Sequence, residues 1–311
     1  DNRLISNTTL TDEYHLAAKS FNLHVEDIRT IIINGFKSAF IPHNERRKMI
    51  NTVVDELEYP WSMEFTSDGK ILITERPGRL RIFENGELSA PIKGLPEIKV
   101  EGQGGLLDIA LDSDFINNKI LFFSYSAGNL LGIGTEVSSA KLVNDELKEL
   151  KLLFKALPKS RGGRHFGSRL LLTNDNSLYI TLGDRGEMKR AQNINDHAGS
   201  LIRINKDGEI PKDNPFIKRS DAKAEIYTYG NRNIQGIALN PVTYDIWTVE
   251  HGPQGGDELN LMKPGINYGW PVITYGVNYG TGTQIGEGTH KDGMAQPVYH
   301  WVPSIATSSL L

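Results

Sequence analysis

From Tyr59 onward the apolar residues fall in short runs rich in Ile, Leu, Tyr and Phe, separated by Gly, Asn, Asp and Pro. That texture predicts strands joined by tight turns. One unit recurs: an apolar strand, a turn of Asp, Asn and Gly, then a second strand. It stands as WSMEFTSDGKILITE, LLDIALDSDFINNKILFFSY, SRLLLTNDNSLYITLGD and IQGIALNPVTYDIWTVE. Outer strand pairs are expected after several copies, at RLRIFENGE, AKLVNDELK and SLIRINKDGE. The copies start about 45 to 70 residues apart, and a multi-strand repeat of that order predicts a β-propeller. A β-sandwich would account for the strands but not for the recurrence.

The first 57 residues read differently. Thr11-Asp12-Glu13 is a cap signal before an apolar stretch, and Glu26-Asp27 opens a second helix. In that helix Ile28, Ile31, Ile32, Phe36 and Phe40 recur at helical spacing. Pro42 and His43 interrupt it, and NERRKMINTVVDEL forms a third. The fold class is therefore mainly β, with a short helical segment over 1–51 and the β region over 52–311.

Composition narrows the chemistry. The net charge of −4 is spread over well-mixed acids and bases, so no nucleic-acid face or polybasic membrane patch is indicated. With no cysteine, disulfides and thiolate metal sites are excluded. No apolar run approaches the ~20 residues of a membrane span.

The polar candidates sit just past strand ends, at the same place in each unit. Gln103 lies in EGQGGLLD, His165 in GGRHFGSRL, Asp184 in TLGDRGE, and Arg232 and Asn233 in GNRNIQG. In a propeller those ends line the mouth of the central channel, where a ligand is expected. A histidine with an aspartate at the matching strand end suits a general base, although a lone histidine is more often structural. Arg232 suits an oxyanion or a ligand carboxylate; the plainer reading is a surface ion pair. In HGPQGGDE, exposed turn carbonyls with Asp257 and Glu258 suit a hard cation such as calcium, against a capped polar turn. No GxSxG elbow is present, so acyl-enzyme chemistry is unsupported.

Together, GQGGLLD, GGRHFGSRL, LGDRGE, GNRNIQGIALNP, EHGPQGGDELN and NYGWP resemble the soluble aldose sugar dehydrogenase and glucose/sorbosone dehydrogenase family. That family implies a six-bladed propeller using pyrroloquinoline quinone and calcium to oxidise the C1 hydroxyl of aldose sugars to lactones. By the resemblance, His165 takes the hydroxyl proton and Asp184 orients it. Gln103 and Arg232 contact the quinone, with Asn233 and His251 as further cofactor contacts; His251 stands where the family often has glutamine. The carbonyls of Gly252 and Pro253 would hold the calcium at the cofactor. Glu258 with the Tyr268 carbonyl resembles a second calcium site. The resemblance names no electron acceptor, and it implies a periplasmic or secreted location.

The first segment resembles the C-terminal end of bacterial adenosine deaminases, through SNTTLTDEYHLAAKSFNL and VEDIRTIIINGFKSAF. By that resemblance Asp1 is a vestigial zinc ligand, and a cytoplasmic location follows if the two parts are naturally fused. At the other end, WVPSIATSSLL resembles the opening of a fifth blade. The expectation is an incomplete six-bladed propeller of about four blades plus the start of a fifth, with weak or absent cofactor binding and poor solubility. The alternatives are an adenosine deaminase fragment and a non-catalytic propeller used as a binding platform.

Overall fold

The structure is a computed structural model that describes residues 57–310. The helices expected within 1–51, and Asp1, lie outside the described residues. The described chain forms four antiparallel sheets of four strands, each meandering in sequence order, so each sheet is a propeller blade. The first holds β1 (Pro60–Phe65), β2 (Ile71–Glu75), β3 (Arg79–Glu84) and β4 (Glu87–Leu88). The second holds β5 (Leu106–Leu111), β6 (Ile120–Asn129), β7 (Gly132–Val143) and β8 (Glu146–Lys155), with a one-turn helix, α1 (Phe115–Asn118), between β5 and β6. The third holds β9 (Leu170–Leu172), β10 (Ser177–Thr181), β11 (Ser200–Asn205) and β12 (Ile226–Tyr229). The fourth holds β13 (Ile234–Leu239), β14 (Ile246–Glu250), β15 (Asp257–Met262) and β16 (Tyr299–Trp301).

Each recurring unit of the sequence is the first strand pair of one blade. The repeat extends to the turns. Thr66 and Thr173 each donate a hydroxyl hydrogen bond to the aspartate two residues on, Asp68 and Asp175, closing the β1–β2 and β9–β10 connections alike. One outer pair is placed differently from the expectation. SLIRINKDGE supplies only β11; its partner β12 arrives after residues 206–225, which form a long connection. The final segment also differs in detail. Trp301 belongs to β16, the outer strand of the fourth blade, and 304–310 passes beside Gly236 of β13 without forming a strand.

The core lies between blades, because successive side chains of a strand point to opposite faces. Leu121, Phe123 and Tyr125 of β6 join Leu72, Leu80 and Ile82 of the first blade. Phe122, between them in sequence, faces the other way and packs with Leu178, Ile180 and Ile202 of the third. Tyr179 and Leu201 then meet Ile234, Ile237 and Met262 of the fourth. Strands buried on both faces explain the near-continuous apolar runs of β2 and β10.

Arg169, just before β9, ties the inner strands together. It donates to Asp108 of β5 at 3.1 Å, to the Gln235 carbonyl of β13 at 2.9 Å and to the Ser308 carbonyl at 2.9 Å. Its guanidinium lies 4.2 Å from the ring centroid of Trp61 in β1. Asp108 also accepts the Ser62 hydroxyl at 2.5 Å and the Leu170 amide at 2.8 Å. Removing one partner of such a pair leaves the other charge buried, at a cost of about 3 kcal/mol or more. Asp108→Ala is therefore expected to lower unfolding free energy by at least that amount in a denaturant titration, and Asp108→Asn by less.

Candidate active site

The geometry of the meander gathers the candidate residues. In each blade the start of the first strand and the end of the second share one edge, as the pairing of Leu170 with Ile180 shows. Gln103 precedes β5, His165 precedes β9, Asp184 follows β10, and Arg232 and Asn233 precede β13. Gln103, His165, Asp184 and Arg232 form one hydrogen-bonded chain, and Asn233 shares the Glu250 carboxylate with the Arg232 amide.

His165 is at its centre. Its Nδ1 lies 2.6 Å from Oδ1 of Asp184, and its amide donates to Oε1 of Gln103 at 2.7 Å. The Gln103 amide in turn donates to the Gly163 carbonyl at 2.7 Å. Nε2 of His165 has no hydrogen-bond partner among the described residues. The residue adopts a left-handed conformation, φ +50°, which a side-chain-bearing residue holds only when its surroundings enforce it. The imidazole stays partly open to solvent, at 13% exposure, while Asp184 is fully buried.

Asp184 is held from several sides. Oδ1 also accepts the Gly186 amide at 2.7 Å, Oδ2 accepts Nε1 of Trp270 at 2.7 Å, and the Asp184 amide donates to the Arg232 carbonyl at 2.8 Å. Burial opposes ionisation of this carboxyl. The hydrogen bond and charge of His165, with the Gly186 and Trp270 N–H groups, outweigh that cost and hold it below the ordinary carboxylate value.

Arg232 stacks its guanidinium 5.4 Å from the Trp270 ring centroid and donates Nη1 to the His251 carbonyl at 2.9 Å. Asn233 is buried, and its Oδ1 accepts the Gly167 amide at 3.2 Å and the Gln235 side chain at 3.1 Å. The His251 ring reaches the Thr307 carbonyl at 2.5 Å through Nε2, and burial pushes its imidazole down despite the nearby Asp257.

The loop after His251 separates its donors. Asp257, expected among the metal oxygens, is already satisfied. It accepts the Gly252 amide at 2.9 Å, the Ser304 hydroxyl, and the Ile305 and Ala306 amides at 2.9 and 2.7 Å. The carbonyls of Gly252 and Pro253 accept no hydrogen bond among the described residues. A Cβ at Gly252 would meet the Gly256 backbone at 2.2 Å, so only glycine permits this approach. Glu258 and Glu250 are bridged by Nδ2 of Asn260, 3.1 Å from each. Burial, with the charge of Glu250, pushes Glu258 up to about 8. The amide oxygens of Asn231 and Asn260 are buried there without partners among the described residues. The Tyr268 hydroxyl is engaged with Leu261 and Lys263, which leaves its carbonyl as the available group.

Three residues of the site carried no assigned role in the sequence: Trp270, Glu250 and Arg185. Trp270 stood in the NYGWP motif and Arg185 in LGDRGE, so the signal was the motif itself. Glu250 was visible only as an acid ending an apolar strand. It accepts the Arg232 amide at 2.6 Å and Nδ2 of Asn231 at 2.9 Å, and so shapes the GNRN turn.

The lowered Asp184 value has a defined sign. Its stabilising contribution is complete above the ordinary carboxylate value of about 3.9 and is lost as pH falls through the lower folded value. Melting temperature should therefore fall steeply below about pH 4 in the parent, and Asp184→Asn should flatten that slope. Trp270→Phe removes a hydrogen bond to a buried charge and should cost about 1.5–3 kcal/mol at neutral pH.

Comparison with known proteins gives this geometry a family. The glucose/sorbosone dehydrogenase profile matches residues 57–311, and the adenosine deaminase profile matches residues 1–56. The chain is 42% identical over 268 residues to the aldose sugar dehydrogenase YliI of Escherichia coli, covering 84% of this chain and 72% of that protein. The crystal structure of the soluble aldose sugar dehydrogenase of E. coli in its apo form superposes with a TM-score of 0.80 at 42% identity, over 83% of this chain and 76% of that one. The structure of the PQQ-bound aldose sugar dehydrogenase of Streptomyces coelicolor matches with a TM-score of 0.67 at 26% identity, over 80% and 70% of the two chains. The N-terminal segment is similar to adenosine deaminase 1 of Streptomyces coelicolor, at 37% identity over 71 residues, 22% of this chain and 18% of that one. The chain belongs to the glucose/sorbosone dehydrogenase family of PQQ-dependent aldose sugar dehydrogenases.

Proposed function

We propose that the propeller oxidises the C1 hydroxyl of an aldose to the lactone, with His165 as the general base. The observation that carries this reading is the His165–Asp184–Trp270 chain. A buried carboxylate fixed by an indole N–H holds Nδ1 at 2.6 Å and leaves Nε2 unpartnered. That arrangement assigns the ring proton to Nδ1 and the free lone pair to Nε2, where a base is needed. Nε2 takes the hydroxyl proton, and Asp184 stabilises the imidazolium that results.

The donor set also fits the family's cofactor. Arg232 keeps guanidinium N–H groups free beyond the one given to His251, Gln103 keeps its side-chain amide N–H groups, and two carbonyls stand unpaired at Gly252 and Pro253. Arg232 and Gln103 would hold pyrroloquinoline quinone, and the Gly252 and Pro253 carbonyls a calcium ion beside it. When bound, the quinone supplies the hydride acceptor, with calcium as the polarising cation. Arg232, held against the Trp270 ring, would stabilise negative charge developing on the bound quinone. Asn233 supports the site from beneath through the Gly167 amide.

A second cation would sit at Glu258. Two buried acids sharing one amide donor, with two orphaned amide oxygens, form an oxygen-only set suited to calcium, to which the family resemblance adds the Tyr268 carbonyl.

Dye-linked sugar oxidation with added quinone and calcium tests the first reading. His165→Ala should reduce kcat by about 10²–10⁴-fold while quinone binding, followed by absorbance, persists. Full turnover by that variant would remove His165 from the mechanism. Calcium without quinone should stabilise the chain by about 2.7 kcal/mol at a hundredfold excess over Kd. Glu258→Gln should abolish that increment, and an unchanged increment rules the second site out.

A further inference from the structure

We propose that Arg185 is a positioning residue for His165, a role that rests on the reading of His165 as the base. Arg185 follows Asp184 directly and reaches back to the loop that presents the histidine. Nη2 donates to the Gly162 carbonyl at 2.5 Å, and Nη1 donates to the Arg164 carbonyl. The guanidinium also lies over the Phe166 ring, with Cζ 3.5 Å from its centroid. One planar group thus holds the loop on both sides of Gly163 and stacks on the residue after His165.

This side chain is 8% exposed and forms no ion pair among the described residues, and its Nε has no hydrogen-bond partner. Burial, aided by the positive charge of Arg190, pushes it down to about 10. A buried guanidinium with no carboxylate at ion-pair distance is costly, even with the longer-range charges of Asp184, Glu101 and Glu187, and an apolar side chain would fill the space at lower cost. What an apolar side chain or a lysine lacks is a rigid fork that reaches two carbonyls at once.

The loop needs that fork because His165 holds a left-handed φ of +50°. Gln103 secures one side, through the Gly163 carbonyl and the His165 amide. Arg185 secures the carbonyls that alternate with them, at Gly162 and Arg164. Because Arg185 and Asp184 share one turn, the carboxylate and the loop carrying the imidazole are fixed to the same piece of backbone. The 2.6 Å contact between His165 and Asp184 is the product of that shared anchorage. Arg185 touches neither sugar nor cofactor in this scheme; it acts through His165.

The test uses the full chain with Arg185→Lys, which keeps the charge without the fork, and Arg185→Met, which keeps the packing alone. Both should lower kcat by about 10–100-fold with the sugar KM within about twofold, the signature of a displaced base. Lysine should restore little of the loss. A second readout needs no cofactor. The Nδ1 proton of His165, far downfield in the parent through its short bond to Asp184, should exchange away in both variants. Amide exchange at 163–168 should rise while amides of β10 and β13 keep their protection. A lowered melting temperature with an unchanged His165 resonance and unchanged kcat overturns the proposal. Should both variants fail to fold, exchange in the unmodified chain decides: protection at 163–168 no greater than at the exposed turn around Gly69 overturns it. Absence of sugar oxidation in the parent would defeat the functional reading alone, because the proton resonance reports the positioning independently.

Discussion

The guanidinium of Arg169, at the head of the third blade, meets groups from each of the other three, and the positions of the loops above follow from it. Apolar packing between blades supplies most of the stabilisation, but such packing is non-directional and tolerates sliding. A planar fork does not. By holding Asp108, the Gln235 carbonyl and the Trp61 face, Arg169 fixes how far each inner strand stands along the channel relative to its neighbours. Residues carried at the tips of those strands then meet at hydrogen-bonding distances. Asp108 completes the arrangement by also taking the Leu170 amide, so the start of β9 is locked to β5 just below His165.

Above that level, one device recurs with three outcomes. A buried acid stands at or just past the end of the second strand in three blades: Glu75, Asp184 and Glu250. Each accepts hydrogen bonds from nearby loops, and the remaining neighbours decide its chemistry. Glu75 faces Arg79 and Arg81 and is neutralised, so it serves only structure. Asp184 faces an imidazole and an indole N–H, so it fixes the orientation of the His165 ring. Glu250 accepts Nδ2 of both Asn231 and Asn260 and shares the latter with a second acid, Glu258, so it lies in the oxygen-rich cluster proposed above to hold a cation. The same position in the fold thus meets three different electrostatic environments, set in each case by one or two neighbouring side chains.

Much of this was legible in the chain. The paired strands followed from alternating apolar runs and Asp/Gly turns, and Gln103, His165, Asp184 and Arg232 followed from their place beside glycines at strand ends. What was missed depends on partners distant in sequence. Trp270 reaches Asp184 across 86 residues, and nothing local to either motif marks the pairing. Asp257 resembled a metal ligand because its acid stood in a glycine-rich turn. Its oxygens are instead consumed by 304–306, a segment 47 to 49 residues further on. The outer strand of the third blade was placed too early, because KDGE is a good turn signal whether or not the next residues return to the sheet.

The sequence by itself determined the repeating strand pairs, the oxygen and nitrogen donors available and the absence of thiol chemistry, since each depends on local pattern or residue type. The motifs at strand ends also carried the family resemblance. Tertiary structure alone decided which donors remain free. Whether a carboxylate binds a cation, orients a histidine or caps a loop depends on the hydrogen bonds it has already accepted, and those come from residues brought close only when the blades assemble. It also decided that Nε2 of His165 is left open while Nδ1 is held. That asymmetry arises from a buried aspartate, a left-handed loop and the two arms of Arg185, none of which local pattern can set.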